Sequence, residues 1–103
     1  MTTTDWAAIQ YRDFYDVPRV FAFKCHERCY LFDSKFEEDT DEYSHYYEVY
    51  ELPNDAMNWL ERLVDWRDLS KKGRRIARVA VKSVQFDESR RRFVNSDILA
   101  KLN

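Results

Sequence analysis

Apolar and polar side chains alternate with a period of two over several short stretches of this chain, the pattern of half-buried β-strands. Residues 8–15, "AIQYRDFY", alternate loosely until Pro18 interrupts them. Residues 19–25, "RVFAFKC", put Phe21, Phe23 and Cys25 on one face, and 29–36, "CYLFDSKF", read as a third strand. After an acidic break at 37–42, "YSHYYEVYEL" (43–52) supplies a tyrosine-rich fourth strand that Pro53 stops. "RIARVAVKSVQFD" (75–87) and the short "RRFVN" (91–95) complete the set. Ser96-Asp97 is placed to cap a terminal helical turn through Ile98, Leu99 and Leu102.

Between the fourth and fifth strands the period changes to that of a helix. With about 100° per residue, Met57, Trp59, Leu60, Leu63, Val64 and Trp66 fill one half of a wheel. Asn58, Glu61, Arg62, Asp65 and Asp68 fill the other, Arg67 intrudes on the apolar arc, and Leu69 falls on the polar side. Asn54 stands at the N-cap position, Asp55 suits the first turn, and Lys71, Lys72 and Gly73 form a stop signal. The spacing therefore predicts one amphipathic helix near residues 55–68. Strands, one helix and further strands predict an α+β fold: a single domain over 1–103 with an antiparallel sheet of about five to six strands packed by that helix. Curling of the sheet toward a small barrel is left open.

Composition narrows the function. At 103 residues the chain has room for one core, and aromatic residues at 17% can supply it. Charged residues reach 35%, yet the net charge is only −2, unlike a dedicated DNA-binding domain. The single glycine, Gly73, rules out phosphate-cradling loops, because a P-loop or dinucleotide fingerprint needs several. No apolar stretch approaches the roughly 20 residues of a membrane span, and the N-terminus lacks a secretory pattern. Two cysteines are too few for a disulfide-built scaffold, so a reduced, cytoplasmic protein without membrane contact is expected.

Candidate chemistry gathers in "FKCHERCYLF" (23–32), which holds both cysteines and one of the two histidines. Cys25, His26, Cys29 and His45 are the chain's whole stock of soft metal ligands, and no second ligand pair follows the Cys-x3-Cys spacing. Lys24, His26 and Arg28 would favour a thiolate, but no orienting residue or oxyanion feature completes a nucleophilic site. "DTDEYSHYYEVY" fails as a calcium loop, with Ser44 where glycine is needed and Tyr50 in place of the bidentate acid. No cofactor, resident metal or catalytic residue is therefore expected. A four-residue loop, His26 to Cys29, would pair Phe23 with Phe32 and Cys25 with Tyr30, gathering Phe21, Phe23, Tyr30 and Phe32 on one face. A three-residue loop would set Cys25 opposite Cys29 but asks a residue for positive φ, so the longer loop is preferred.

Charge is segregated. Residues 33–51 hold eight acids and one base, while 71–92 hold nine bases and two acids. Glu37, Glu38, Asp39, Asp41 and Glu42 form the candidate acidic patch; Arg74, Arg75, Arg78, Arg90, Arg91 and Arg92 form the basic one. Trp59, Trp66, Tyr46 and Tyr50 are candidate interface rings, since Trp and Tyr tolerate partial exposure. The leading expectation is a small non-catalytic protein acting through protein–protein contact or self-association. A nucleic-acid-binding module built on 71–92 is the alternative, and a metal or thiol site at Cys25 and Cys29 the second.

Overall fold

A computed structural model describes residues 6–63, 66 and 68–102. Among them, the strands are β1 (Trp6–Tyr15), β2 (Val17–Cys25), β3 (Arg28–Asp33), β4 (Phe36–Glu37), β5 (Glu42–Tyr43), β6 (Tyr46–Leu52), β7 (Arg74–Ala80) and β8 (Phe93–Asn95). The expected third strand ends at Asp33, the fifth gives way at Ala80 to a 3-10 turn, Val81–Ser83, and the acidic break carries strand pairing at both of its ends. Six of these build one antiparallel sheet in the order β7-β6-β3-β2-β1-β8, and β4 pairs with β5 as a separate hairpin. The sheet is open, with β7 and β8 as its edges, so it does not close into a barrel.

Both faces of the sheet are covered, which explains why "VFAF" at 20–23 is apolar without a break. On the front, Val20, Ala22, Cys29, Leu31 and Leu52 pack beneath Ala56, Leu60, Trp66 and Leu69. On the back, Phe21, Phe23, Phe32, Tyr47, Val49 and Val79 pack beneath Val84, Val94 and Ile98. Phe21 is the hub of the back layer, with ring centroids 5.0 Å from Phe32, 5.3 Å from Tyr47 and 5.3 Å from Phe86. Tyr47, fully buried, donates its hydroxyl to the Pro18 carbonyl at 2.7 Å. Burial pushes its phenol well above the ordinary tyrosine range, with Arg19 opposing.

The front layer corrects the helix expectation, and with it the α+β class: the protein is mostly β. The described residues of 55–68 form separate 3-10 turns, Ala56–Asn58 and Leu60–Arg62, and a third follows at Leu69–Lys72. Val64, Asp65 and Arg67 lie outside the described residues. Trp59 leaves helical geometry at φ −125°, and Leu63 is extended at ψ 126°. Asn58 and Trp59 are indifferent helix formers, and a residue spacing of three or four suits a 3-10 turn as well as an α-helix. The turns still bury Ala56 and Leu60, while Leu69, assigned to the polar side of the wheel, is buried as well. Neither Asn54 nor Asp55 caps with its side chain: Asp55 makes no cap bond, and the Asn54 carbonyl accepts from the Cys29 thiol at 3.3 Å. At the C-terminus the expected turn forms as Ser96–Lys101, but its cap is Asn95, whose side chain accepts from the Asp97 N–H.

Pro18 does not interrupt the sheet. The chain reverses two positions earlier, at Asp16 with φ 66°, and Pro18 sits as the second residue of β2 opposite Phe14. Gly73 ends the third front turn at φ −118°, a conformation open to any residue, yet it has no room for a side chain. A Cβ there would meet the Glu51 carbonyl oxygen at 2.8 Å and Leu52 Cδ2 at 2.9 Å. Gly73→Ala is therefore expected to cost about 1–3 kcal/mol through displacement of β6. Chemical denaturation of the variant beside the parent checks it.

Candidate functional site

The cysteine hairpin resolves first. Its loop has two residues, His26 and Glu27, both in the left-handed region at φ 52° and 66°, as a type I′ hairpin turn requires. Cys25 pairs with Arg28, Lys24 with Cys29, Phe23 with Tyr30 and Phe21 with Phe32. Neither the three- nor the four-residue loop forms, because the two-residue turn keeps the ladder unbroken at the cost of two strained residues. Phe21, Phe23, Tyr30 and Phe32 do share one face, packed into the back layer with Cys25. Cys29 lies in the front layer, so the two thiols sit on opposite faces of the sheet and both are free. His26 is exposed in the turn, and His45 is exposed with Nε2 3.6 Å from Glu42. Among the described residues the four do not converge on one point, and no cluster of three or more potential ligands forms.

The charge blocks separate into a paired and an unpaired part. β6 and β7 are neighbours with Glu48 opposite Arg78 and Glu51 opposite Arg74. Glu48 consequently accepts from Arg75 at 2.9 Å and Arg78 at 3.1 Å, and Glu51 from Arg74 at 3.1 Å. Arg78 also lies 4.4 Å over the exposed ring of Tyr46. The other basic run is anchored at its tip: Arg90 donates to the Asp16 carbonyl, and Arg91 stacks 4.5 Å over Phe14. Asp87 accepts from Ser89 at 2.6 Å and from the Arg92 and Phe93 N–H groups, and the Ser89 bond foremost holds its carboxyl below the usual range.

The acidic patch is different. Glu37, Glu38, Asp39, Asp41 and Glu42 all belong to the β4–β5 hairpin and are exposed. Glu37 sits directly opposite Glu42, a like-charge pair that costs stability. Among the described residues no lysine or arginine forms a salt bridge to any of the five. Buried Ser34 fixes the hairpin's base to the sheet, its hydroxyl donating to the Ser44 carbonyl at 2.8 Å while the Ser44 N–H bonds the Lys35 carbonyl.

A cleft of about 350 Å³ opens where that hairpin meets the sheet. Its floor is made of the buried residues Val20, Ser34 and Trp66, and its rim of the exposed Asp13, Lys35 and Phe36. Tyr43 walls it, 5.2 Å from Phe36 and 5.8 Å from the exposed Tyr15. Arg19 completes the wall with two of its five N–H donors engaged: Nε bonds the Tyr15 carbonyl at 2.9 Å and Nη1 reaches Ser34 Oγ at 3.4 Å, while the guanidinium lies 5.0 Å over Tyr43. Trp66 is held from below, its indole donating to the Leu60 carbonyl at 3.2 Å under Arg12 at 4.6 Å.

Asp33 enters the cleft half-buried. It is on the front face because it continues the phase of Cys29 and Leu31 along β3, a signal present in "CYLFD". Its cross-strand neighbour is Glu48, whose oxygens are occupied by Arg75 and Arg78. Burial raises the Asp33 carboxyl above its ordinary range, Lys35 opposes this, and Asp13 and Glu48 add to it. Asp13 stands at φ 57° between the paired residues Arg12 and Phe14, a break in the β1–β2 ladder that no sequence pattern announces.

Of the rings expected at an interface, Tyr46 is exposed, Tyr50 and Trp59 are half-buried against the front layer, and Trp66 is buried as the cleft floor. Tyr15, Phe36 and Tyr43 were not among them. No known family, curated protein or solved structure matches this chain.

Proposed function

We propose that this protein is a non-catalytic binding module that recognises a basic segment of a partner protein at the β4–β5 hairpin and the cleft beside it. The observation that carries this reading is the hairpin itself: five carboxylates without lysine or arginine partners among the described residues, set beside exposed Phe36 and Tyr15. Unpaired charge of one sign speeds encounter with an oppositely charged surface and excludes the wrong one, while rings and arginine supply the contact energy. Two free thiols suit a reducing compartment, and the cytoplasm is the proposed location. The nucleic-acid alternative has fewer charges to draw on, since Arg74, Arg75 and Arg78 are each engaged by Glu48 or Glu51.

Fluorescence anisotropy with labelled peptides rich in arginine and lysine, with neutral and acidic counterparts and a single-stranded oligonucleotide, tests it. The basic peptide is expected to bind alone, more weakly as salt screens the hairpin. A variant carrying Glu37→Lys, Glu38→Lys and Asp39→Lys, all exposed positions, is expected to lose about tenfold in affinity. Equal binding of the acidic peptide, or binding of the oligonucleotide alone, overturns the reading.

A further inference from the structure

We infer that the cleft is a specificity pocket for one guanidinium group, an arginine side chain of the partner segment, held by Asp13 and Asp33 against the rings of the wall. The inference rests on the binding reading above and adds the chemistry of its central contact. Four features of the cleft lead to it. Its two carboxylates arrive from β1 and β3 and have no salt-bridge partner among the described residues. The cation beside them, Arg19, makes no salt bridge to either, directing Nε to Tyr15, Nη1 to Ser34 and its face to Tyr43. The two carboxylates offer acceptor capacity in a space of about 350 Å³, within the range of small-ligand sites. The rim ring Phe36 is 48% exposed, leaving aromatic surface for a cation to cover.

A guanidinium fits these features better than an ammonium. It is planar, presents five donors in a fixed fork, sheds water more readily and stacks on rings, so it can reach carboxylates from two strands while lying along Phe36. It also supplies Asp33 with the counter-charge that Glu48 obtains from Arg75 and Arg78. The remaining charge facing Asp33 is Lys35, exposed at the rim. In the free protein ionised Asp33 is a burden. A carboxyl raised on folding binds more protons folded than unfolded as pH climbs through its range, so stability falls over that interval and the penalty is complete above it. Asp33→Asn is accordingly expected to melt no lower than the parent at pH 7. A site that is costly when empty is one that a ligand can relieve.

The test compares three peptides identical except at one position: arginine, citrulline, which is neutral but keeps the shape, and lysine. Binding is read by anisotropy at pH 7 and by the NMR shift of the Trp66 indole N–H. The arginine peptide is expected to bind about tenfold more tightly than the citrulline one and to move the Trp66 signal, with lysine between. Asp33→Asn and Asp13→Asn are each expected to erase the arginine–citrulline difference. The triple hairpin variant is expected to weaken all three peptides and preserve their ranking. Equal affinity for arginine and citrulline, or a difference that survives both aspartate variants, overturns the pocket while the basic-segment reading stands. Absence of binding by every basic peptide overturns both.

Discussion

Phe21→Ala is expected to lower the unfolding free energy by about 3–5 kcal/mol, the cost of emptying a ring-sized site in a rigid core. Domains of this kind are stable by only about 5–15 kcal/mol, so the variant would stand near its unfolding threshold. The size of the effect follows from position. Phe21 is fully buried and meets rings from four directions: Phe23 on its own strand, Phe32 across the ladder, Tyr47 on β6 and Phe86 on the covering segment. Phe86 pairs with Val94, and Val94 with Ala7 of the edge contact, so the loss extends to the attachment of the C-terminal layer. Urea denaturation should show a lower midpoint at an unchanged slope, and hydrogen exchange should quicken first at Val94 and its neighbours. A cost below about 1 kcal/mol would mean that the back layer closes over the gap, contrary to the close packing described.

Trp66→Ala is expected to cost a similar amount, about 3–5 kcal/mol, through the front layer. It removes a buried double ring, takes from the Leu60 carbonyl one of its two donors (the Leu63 N–H remains), and leaves Arg12 without the face on which it stacks. Trp66→Phe retains part of the packing and loses only the hydrogen bond and some volume, so it should cost less. The pair separates stability from recognition. Trp66 is the floor of the cleft, and Trp66→Phe, folded at ambient temperature, should bind the arginine peptide more weakly with its salt dependence unchanged, because the acidic hairpin is intact. Denaturation curves and anisotropy on the same preparations check both halves.

Asp13 and Asp33 are a different case from these two aromatic positions. Phe21 and Trp66 support the layers, whereas Asp33 holds charge in a half-buried place where the free fold gains nothing from it. A gain in melting temperature together with a loss of arginine preference in Asp33→Asn would be the mark of a residue kept for binding.

The chain's own periodicity determined which stretches become strands, because alternate burial on a pleated surface is a local property of residues i and i+2. It also put Phe21 with Phe23 and Tyr30 with Phe32 on shared faces, and marked the acids of 37–42 as exposed, because a run of like charges resists burial, though Glu37 and Glu42 pair as strand residues. Local pattern did not reach further. Whether 55–68 coils as an α-helix or as 3-10 turns depends on how two tryptophans and several leucines seat on the front of the sheet, and the spacing of three or four fits either. The cysteine question turned on one turn: two residues at positive φ moved Cys25 and Cys29 to opposite faces, a cost that cross-strand pairing offsets only once the sheet exists. Strand order decided which charges cancel. Glu48 and Glu51 meet Arg74, Arg75 and Arg78 because β6 and β7 are neighbours, while the hairpin acids face solvent without a lysine or arginine partner among the described residues. The cleft is the clearest product of tertiary structure. Asp13, Asp33, Tyr43 and Trp66 lie far apart along the chain, and only the stacking of the hairpin and the front layer against β2 and β3 brings them to one place.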